Sequence, residues 1–130
     1  MNRPSENKLE ATNESSNVMT YATQGCLVFP VQVGLSKETA MDIQTVLLEK
    51  VYAKEYLGVV IDLSGIDIID SVFWKILSNT SVMVNMLGFR TVMTGLSPGV
   101  VASIVDLNLD LTTTKTALTI QDALEILRAT

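Results

Sequence analysis

Apolar residues change their rhythm along this chain, and each change marks an element. "MTYATQ" and "CLVFPVQV" read as two strands joined at Gly25, an antiparallel start, with Pro30 marking an edge or an irregular strand end. "SKETAMDIQTVLLEKVYAKE" then switches to helical spacing. Ser36 is an N-cap residue type, Glu38 falls in the first turn, and Ala40, Ile43, Leu47 and Val51 lie on one stripe. "LGVVIDLSG" is a continuous Val/Ile/Leu run closed by Asp62, Ser64 and Gly65, the pattern of a central strand covered on both faces. After "IDIIDS", residues 71–87 read as a long helix stopped by Gly88, and "FRTVMTG" as a strand reaching Gly95. "SPGVVASIVDLN" predicts a third helix with Pro98 in its first turn, and "DLTTTKTAL" holds a weak last strand. "TIQDALEILR" is a final helix. In it Thr119 and Asp122 have capping-box spacing, and Ile120, Ala123, Leu124 and Leu127 share a face.

The order strand, strand, helix, strand, helix, strand, helix, weak strand, helix predicts an α/β domain. Its sheet should be mixed but mostly parallel, of about four to five strands, with about four helices against it. Residues 1–17, "MNRPSENKLEATNESSN", are polar and short of anything that would order them, so they read as a flexible tail before a single domain over 18–130.

Composition narrows the function classes. With 130 residues, 48% of them hydrophobic and 18% charged, the chain has enough apolar material for its own core. A net charge of −5, with basic residues scattered singly, gives no surface for nucleic acid or an anionic membrane. Its partners are expected to be proteins. No apolar run approaches the roughly 18 to 20 residues needed to cross a bilayer, and no leader pattern opens the sequence, so a cytoplasmic location is expected. The single cysteine, Cys26, lies in "GCLVFPV" and reads as a small buried hydrophobe. Without a histidine or a second thiol there is no ligand set for zinc and no Cys/His pair, so neither a metal nor another cofactor is expected.

Candidate chemistry concentrates at "GIDIIDSVFW", residues 65–74. If Asp70 accepts the free N–H groups of the next helical turn, Ser71 becomes the first helical residue and its hydroxyl is left pointing outward. The plainer reading makes Ser71 the cap and Asp70 a loop residue. A phosphate on Ser71 would be favoured by the helix dipole and opposed by Asp67 and Asp70, terms of about 1 kcal/mol each. Such a mark would change the surface and leave the fold intact. The rival chemistry is a small hydrolase using Asp62, Asp67 or Asp70, for which no nucleophile–base pair is present. "TGLSPGV" lacks the lysine of a phosphate-binding loop, and the "VQVGLS" strand end lacks the acidic pair of a receiver domain.

Three stretches, "VVIDLSGIDIIDSVFWKIL", "MLGFRTVMTGLSPGVVASIVDLNLDL" and "TKTALTIQDALEIL", resemble STAS domains, and within them the RsbS-type stressosome scaffold proteins. The resemblance runs over roughly residues 19–128 and is most specific at "IIDS", "TGLSP" and "LDLTTTKTAL". It implies a STAS-like fold and a non-catalytic scaffold that assembles with RsbR-like paralogues and copies of itself. It also implies an RsbT-like switch kinase that phosphorylates the scaffold serine, matched here by Ser71, and is then released, with an RsbX-like phosphatase to reset the mark. Ser103, in "VVASIVDL", falls near the second phosphorylated hydroxyl of some paralogues. A free anti-sigma factor antagonist, binding its kinase one to one, is the alternative within the same class.

Asp67, Asp70, Trp74 and Lys75 are the residues expected to face the partner. Trp74 departs from the small residue that relatives have at this place. On a helical wheel it joins Ser78, Ser81 and Asn85, so an interface anchor is expected of it, with half-buried packing as the alternative. The same helix carries more apolar residues than one face can bury, which points to self-association. Met83, Met86 and Met93 read as adaptable core filler.

Overall fold

The computed structural model of the chain describes residues 19–32, 36–108 and 114–129. The expected tail and most of "DLTTT" lie outside the described residues. The elements are β1 (Tyr21–Thr23), β2 (Cys26–Pro30), α1 (Lys37–Ala53), β3 (Gly58–Asp62), α2 (Ser71–Met86), β4 (Arg90–Thr94), α3 (Pro98–Asp106), β5 (Lys115–Ala117) and α4 (Ile120–Arg128). They form one five-stranded sheet in the order β1-β2-β3-β4-β5. β1 pairs antiparallel with β2, and the other three pairings are parallel. The expected mixed, mostly parallel sheet with four helices is therefore what the described residues build.

Local chemistry accounts for the boundaries. The β1–β2 hairpin closes through Gln24 and Gly25, both with positive φ, the requirement of a two-residue turn that matches strand twist. Each helix begins on a side-chain cap: Ser36 accepts from the Thr39 N–H, Asp70 from Phe73, Ser97 from Val100 and Thr119 from Asp122. At the end of α2 the chain turns through Gly88 at φ +100°, and the Phe89 N–H reaches back to the Val84 carbonyl at 3.1 Å.

Strand alternation divides the apolar residues into two cores. Leu27, Phe29 and Val31, Val59, Ile61 and Leu63, and Met93 face the side that α1, α2 and α3 cover. Cys26, Val28, Val60 and Val92 face the other side, under Ala123, Leu124 and Leu127 of α4. The stripe expected on α1, Ala40, Ile43, Leu47 and Val51, is the buried one. β3 lies in the middle of the sheet with both faces covered, as its unbroken apolar run predicts.

Two expectations are corrected on α2. Its inward stripe is Trp74, Leu77, Thr80, Ser81 and Val84, so of the wheel stripe that looked polar, Trp74 and Ser81 point into the protein, Ser78 is half-buried and Asn85 stays exposed. Trp74 is 3% exposed and belongs to the larger core, which rules it out as a surface anchor. Thr80 is satisfied by donating to the Ile76 carbonyl at 2.7 Å and accepting from the Gln44 side chain at 3.1 Å. Of the three methionines, only Met93 is core; Met83 and Met86 are exposed, Met86 at 80%.

Two outcomes are expected from this packing. Leu47→Ala, at a position with no exposed surface, should lower unfolding stability by about 2–5 kcal/mol, read as a shift in the urea midpoint. Burial pushes the Cys26 thiol up, against the opposing pull of Arg128 and Arg90. A thiol reagent at neutral pH should therefore label Cys26 only as fast as the domain opens, and promptly once denaturant is added.

Candidate functional site

β3 delivers the chain into the segment that carries the candidate residues. Asp62 ends the strand, and its carboxylate accepts from the Ser64 N–H at 3.2 Å, the Ser64 hydroxyl at 3.0 Å and the Thr94 hydroxyl at 3.3 Å. This carboxylate organises the turn and ties it to β4. Beyond it, Ile66 and Ile69 are buried while Asp67, Ile68 and Asp70 face outward, so two isoleucines pin a segment whose polar residues remain in solvent. A second anchor comes from the start of α3. Gly99 lies so close to the Asp67 carbonyl that a Cβ there would collide with it, and the Ser97 hydroxyl lies 3.5 Å from the Ile66 carbonyl.

Asp70 is the N-cap of α2. Its side chain accepts from the Phe73 N–H at 2.8 Å, and its carbonyl accepts from Trp74 at 3.0 Å. Ser71 follows as the first helical residue, exposed, with its hydroxyl making no hydrogen bond among the described residues. Of the two readings of "DS", the geometry selects the one in which aspartate caps and serine is free. Lys75 is also exposed, one turn further along at i+4, where side chains of a helix are neighbours. Val72, Lys75, Asn79, Val82, Met83 and Met86 continue outward along α2, so an apolar stripe interrupted by two polar residues runs away from Ser71.

Ser103 differs from Ser71. It is half-buried within α3, and its hydroxyl already donates to the Gly99 carbonyl at 2.9 Å, the i−4 back-bond common for serine inside helices. Asp67, Asp70, Ser71 and Lys75 are each exposed, whereas Trp74 lies in the core. Asp62 is occupied in its turn and Asp70 in its cap, and no nucleophile–base pair accompanies the three carboxylates among the described residues. No group of three or more potential ligands able to hold a metal occurs among those residues. No helix there is long and apolar enough to cross a membrane. The Gly99 contact with Asp67 was not anticipated from the sequence; "SPGV" read only as a turn and a helix start.

Comparison with known proteins places this geometry in context. The model of the STAS domain family matches residues 17–123. The RsbT co-antagonist protein RsbRD of Bacillus subtilis (strain 168) is 27% identical over 119 residues, which take in 88% of this chain and 41% of RsbRD. The chain thus spans about two fifths of that relative's length. Among solved structures, a serine-to-glutamate variant of RsbS from Moorella thermoacetica matches with a TM-score of 0.74 at 26% identity, covering 84% of this chain and 95% of that one. A chain from the molecular architecture of the stressosome, described as a signal integration and transduction hub, matches with a TM-score of 0.69, also at 26% identity. That match covers 85% of this chain and 99% of the other.

The division of roles at the start of α2 has a measurable consequence. Asp70→Ala should cost about 1 kcal/mol of stability through loss of the cap. Ser71→Ala should stay within about 0.5 kcal/mol of the parent, because no bond is broken. Chemical denaturation of the two variants side by side checks both, and equal losses would return the cap to Ser71.

Proposed function

The chain belongs to the STAS domain family, and from that premise we propose that it is a non-catalytic scaffold whose binding of a protein kinase is switched by phosphorylation of Ser71. The observation that carries this reading is the exposed, unbonded Ser71 hydroxyl at the start of α2, with Asp70 holding the helix cap independently of it. A phosphate added there meets the positive end of the helix and has Lys75 one turn away. Asp67 and Asp70 oppose it, so the helix is neither strongly stabilised nor broken. What changes is the charge presented beside Val72 and the apolar stripe behind it. A partner seated on that stripe is repelled or admitted by the dianion.

The similarity to RsbRD, which is named as a co-antagonist of RsbT, and to a chain of the stressosome supports an RsbT-like serine/threonine kinase as the partner sequestered and released. RsbR-like STAS paralogues would be its neighbours in a larger assembly, and an RsbX-like phosphatase would remove the mark. All of these components act in the cytoplasm on this reading. Asp67, Asp70 and Lys75 form the charged rim of the kinase-facing surface. Ser103 is proposed only as a secondary acceptor, since its hydroxyl must first leave the Gly99 carbonyl.

Incubation with the cognate kinase and ATP should add one phosphate, detected by intact mass, to the parent chain and none to Ser71→Ala. Ser71→Ala should retain kinase binding, while Ser71→Asp should weaken it in a pull-down or by interferometry. Light scattering on a mixture with an RsbR-like partner should find an assembly far larger than a heterodimer. A one-to-one complex with the kinase and no larger species would instead favour a free anti-sigma factor antagonist.

A further inference from the structure

At the opposite end of the sheet from Ser71, β4 begins before its neighbour does. The β4–β5 ladder starts at Val92 opposite Lys115, so Arg90 and Thr91 have no strand beside them on that edge among the described residues. A cavity of about 160 Å³ occupies this notch, lined by Asn85, Arg90, Thr91, Val92, Lys115, Ile126 and Leu127. Its floor is apolar, built from Val92 and the end of α4. Among the described residues its charged groups are both cationic, with no carboxylate in the lining, although the chain as a whole carries a net charge of −5.

The two cations are held differently. The Arg90 guanidinium donates to the Leu127 carbonyl at 2.8 Å, which fixes it against the C-terminal turn of α4, and its other N–H groups meet no partner among the described residues. Lys115 is exposed and makes no ion pair or side-chain hydrogen bond among the described residues. The carbonyl of Thr94 accepts from Leu63 on the β3 side. By strand alternation, the main chain of Thr91 therefore turns toward the notch. Asn85, exposed at the end of α2, brings a neutral amide to the same rim.

From this arrangement we infer that the notch is a binding site for a short aliphatic carboxylate. The head group lies between Arg90 and Lys115, and the hydrocarbon part rests on Val92, Ile126 and Leu127. A planar guanidinium with one edge anchored is shaped to meet a carboxylate through its remaining N–H groups. The volume is of the order that accommodates a compact organic molecule of about benzene's size. The site lies away from Ser71 and does not depend on the kinase reading.

The test is a nitrogen-15 amide NMR titration of the full chain with butyrate, inorganic phosphate and chloride at matched ionic strength. Butyrate should give saturable shifts at Asn85, Thr91, Lys115 and Ile126. Lys115→Met should weaken that binding at least about tenfold, the loss of one charge-assisted contact. Arg90→Gln should do the same, with a thermal melt confirming that α4 stays docked. Saturation by phosphate but not by butyrate would overturn the assignment to carboxylates. Shifts that rise linearly and spread over other surface lysines, or undiminished binding in Lys115→Met, would overturn the site.

Discussion

Two-sided burial of β3 is the constraint on which the other features depend. A strand whose successive residues enter two separate cores cannot slip by one position without exchanging every contact on both faces. Val60 under α4, and Val59 and Ile61 under the three helices opposite, hold it in register with β2 and β4. Everything that emerges from its C-terminal end therefore starts from a fixed point. The Asp62 turn adds three hydrogen bonds to that point, one of them across to β4. The segment bearing Asp67 and Asp70 is placed by the strand before it and rooted in the core by Ile66 and Ile69.

On this base, adjacent residues divide two tasks that a single hydroxyl would otherwise have to share. Capping consumes an acceptor, and reaction with a kinase requires an accessible hydroxyl. Asp70 supplies the first and leaves the Ser71 hydroxyl exposed and unbonded, as the proposed switch requires. The contrast with Ser103 shows why a hydroxyl's surroundings matter more than its residue type: one serine is exposed and unbonded, while the other is half-buried and already donating to a carbonyl. The outward stripe of α2 fits the same proposal, since Val72, Val82, Met83 and Met86 leave apolar area exposed on the helix that Ser71 opens.

Much of this was legible in the sequence because the signals were local. Ser36, Asp70, Ser97 and Thr119 lie where caps belong, Gly88 ends its helix, and an unbroken apolar run marks the central strand. The side of α2 that turns inward was not legible. A wheel drawn for one helix ranks stripes by polarity, and here the inward stripe holds Thr80 and Ser81 beside Trp74, since Thr80 finds partners in Gln44 of α1 and its own carbonyl ladder. Met83 and Met86 misled for the converse reason: nothing in their chemistry distinguishes a methionine that fills a core from one left on a surface. The notch beside Lys115 depends on where β5 starts relative to β4, a register set by tertiary packing and invisible to any residue-by-residue pattern.

The lopsided layering has one more consequence. Three helices shelter one side of the sheet, but among the described residues the valines of the other side have only the nine-residue α4 as a roof. Protein truncated ahead of Thr119 would keep nearly all of its regular structure and still present Val28, Val60 and Val92 as a bare ribbon to its neighbours. Quality-control proteases recognise such a surface, so loss of α4 would be far more damaging than its nine residues suggest.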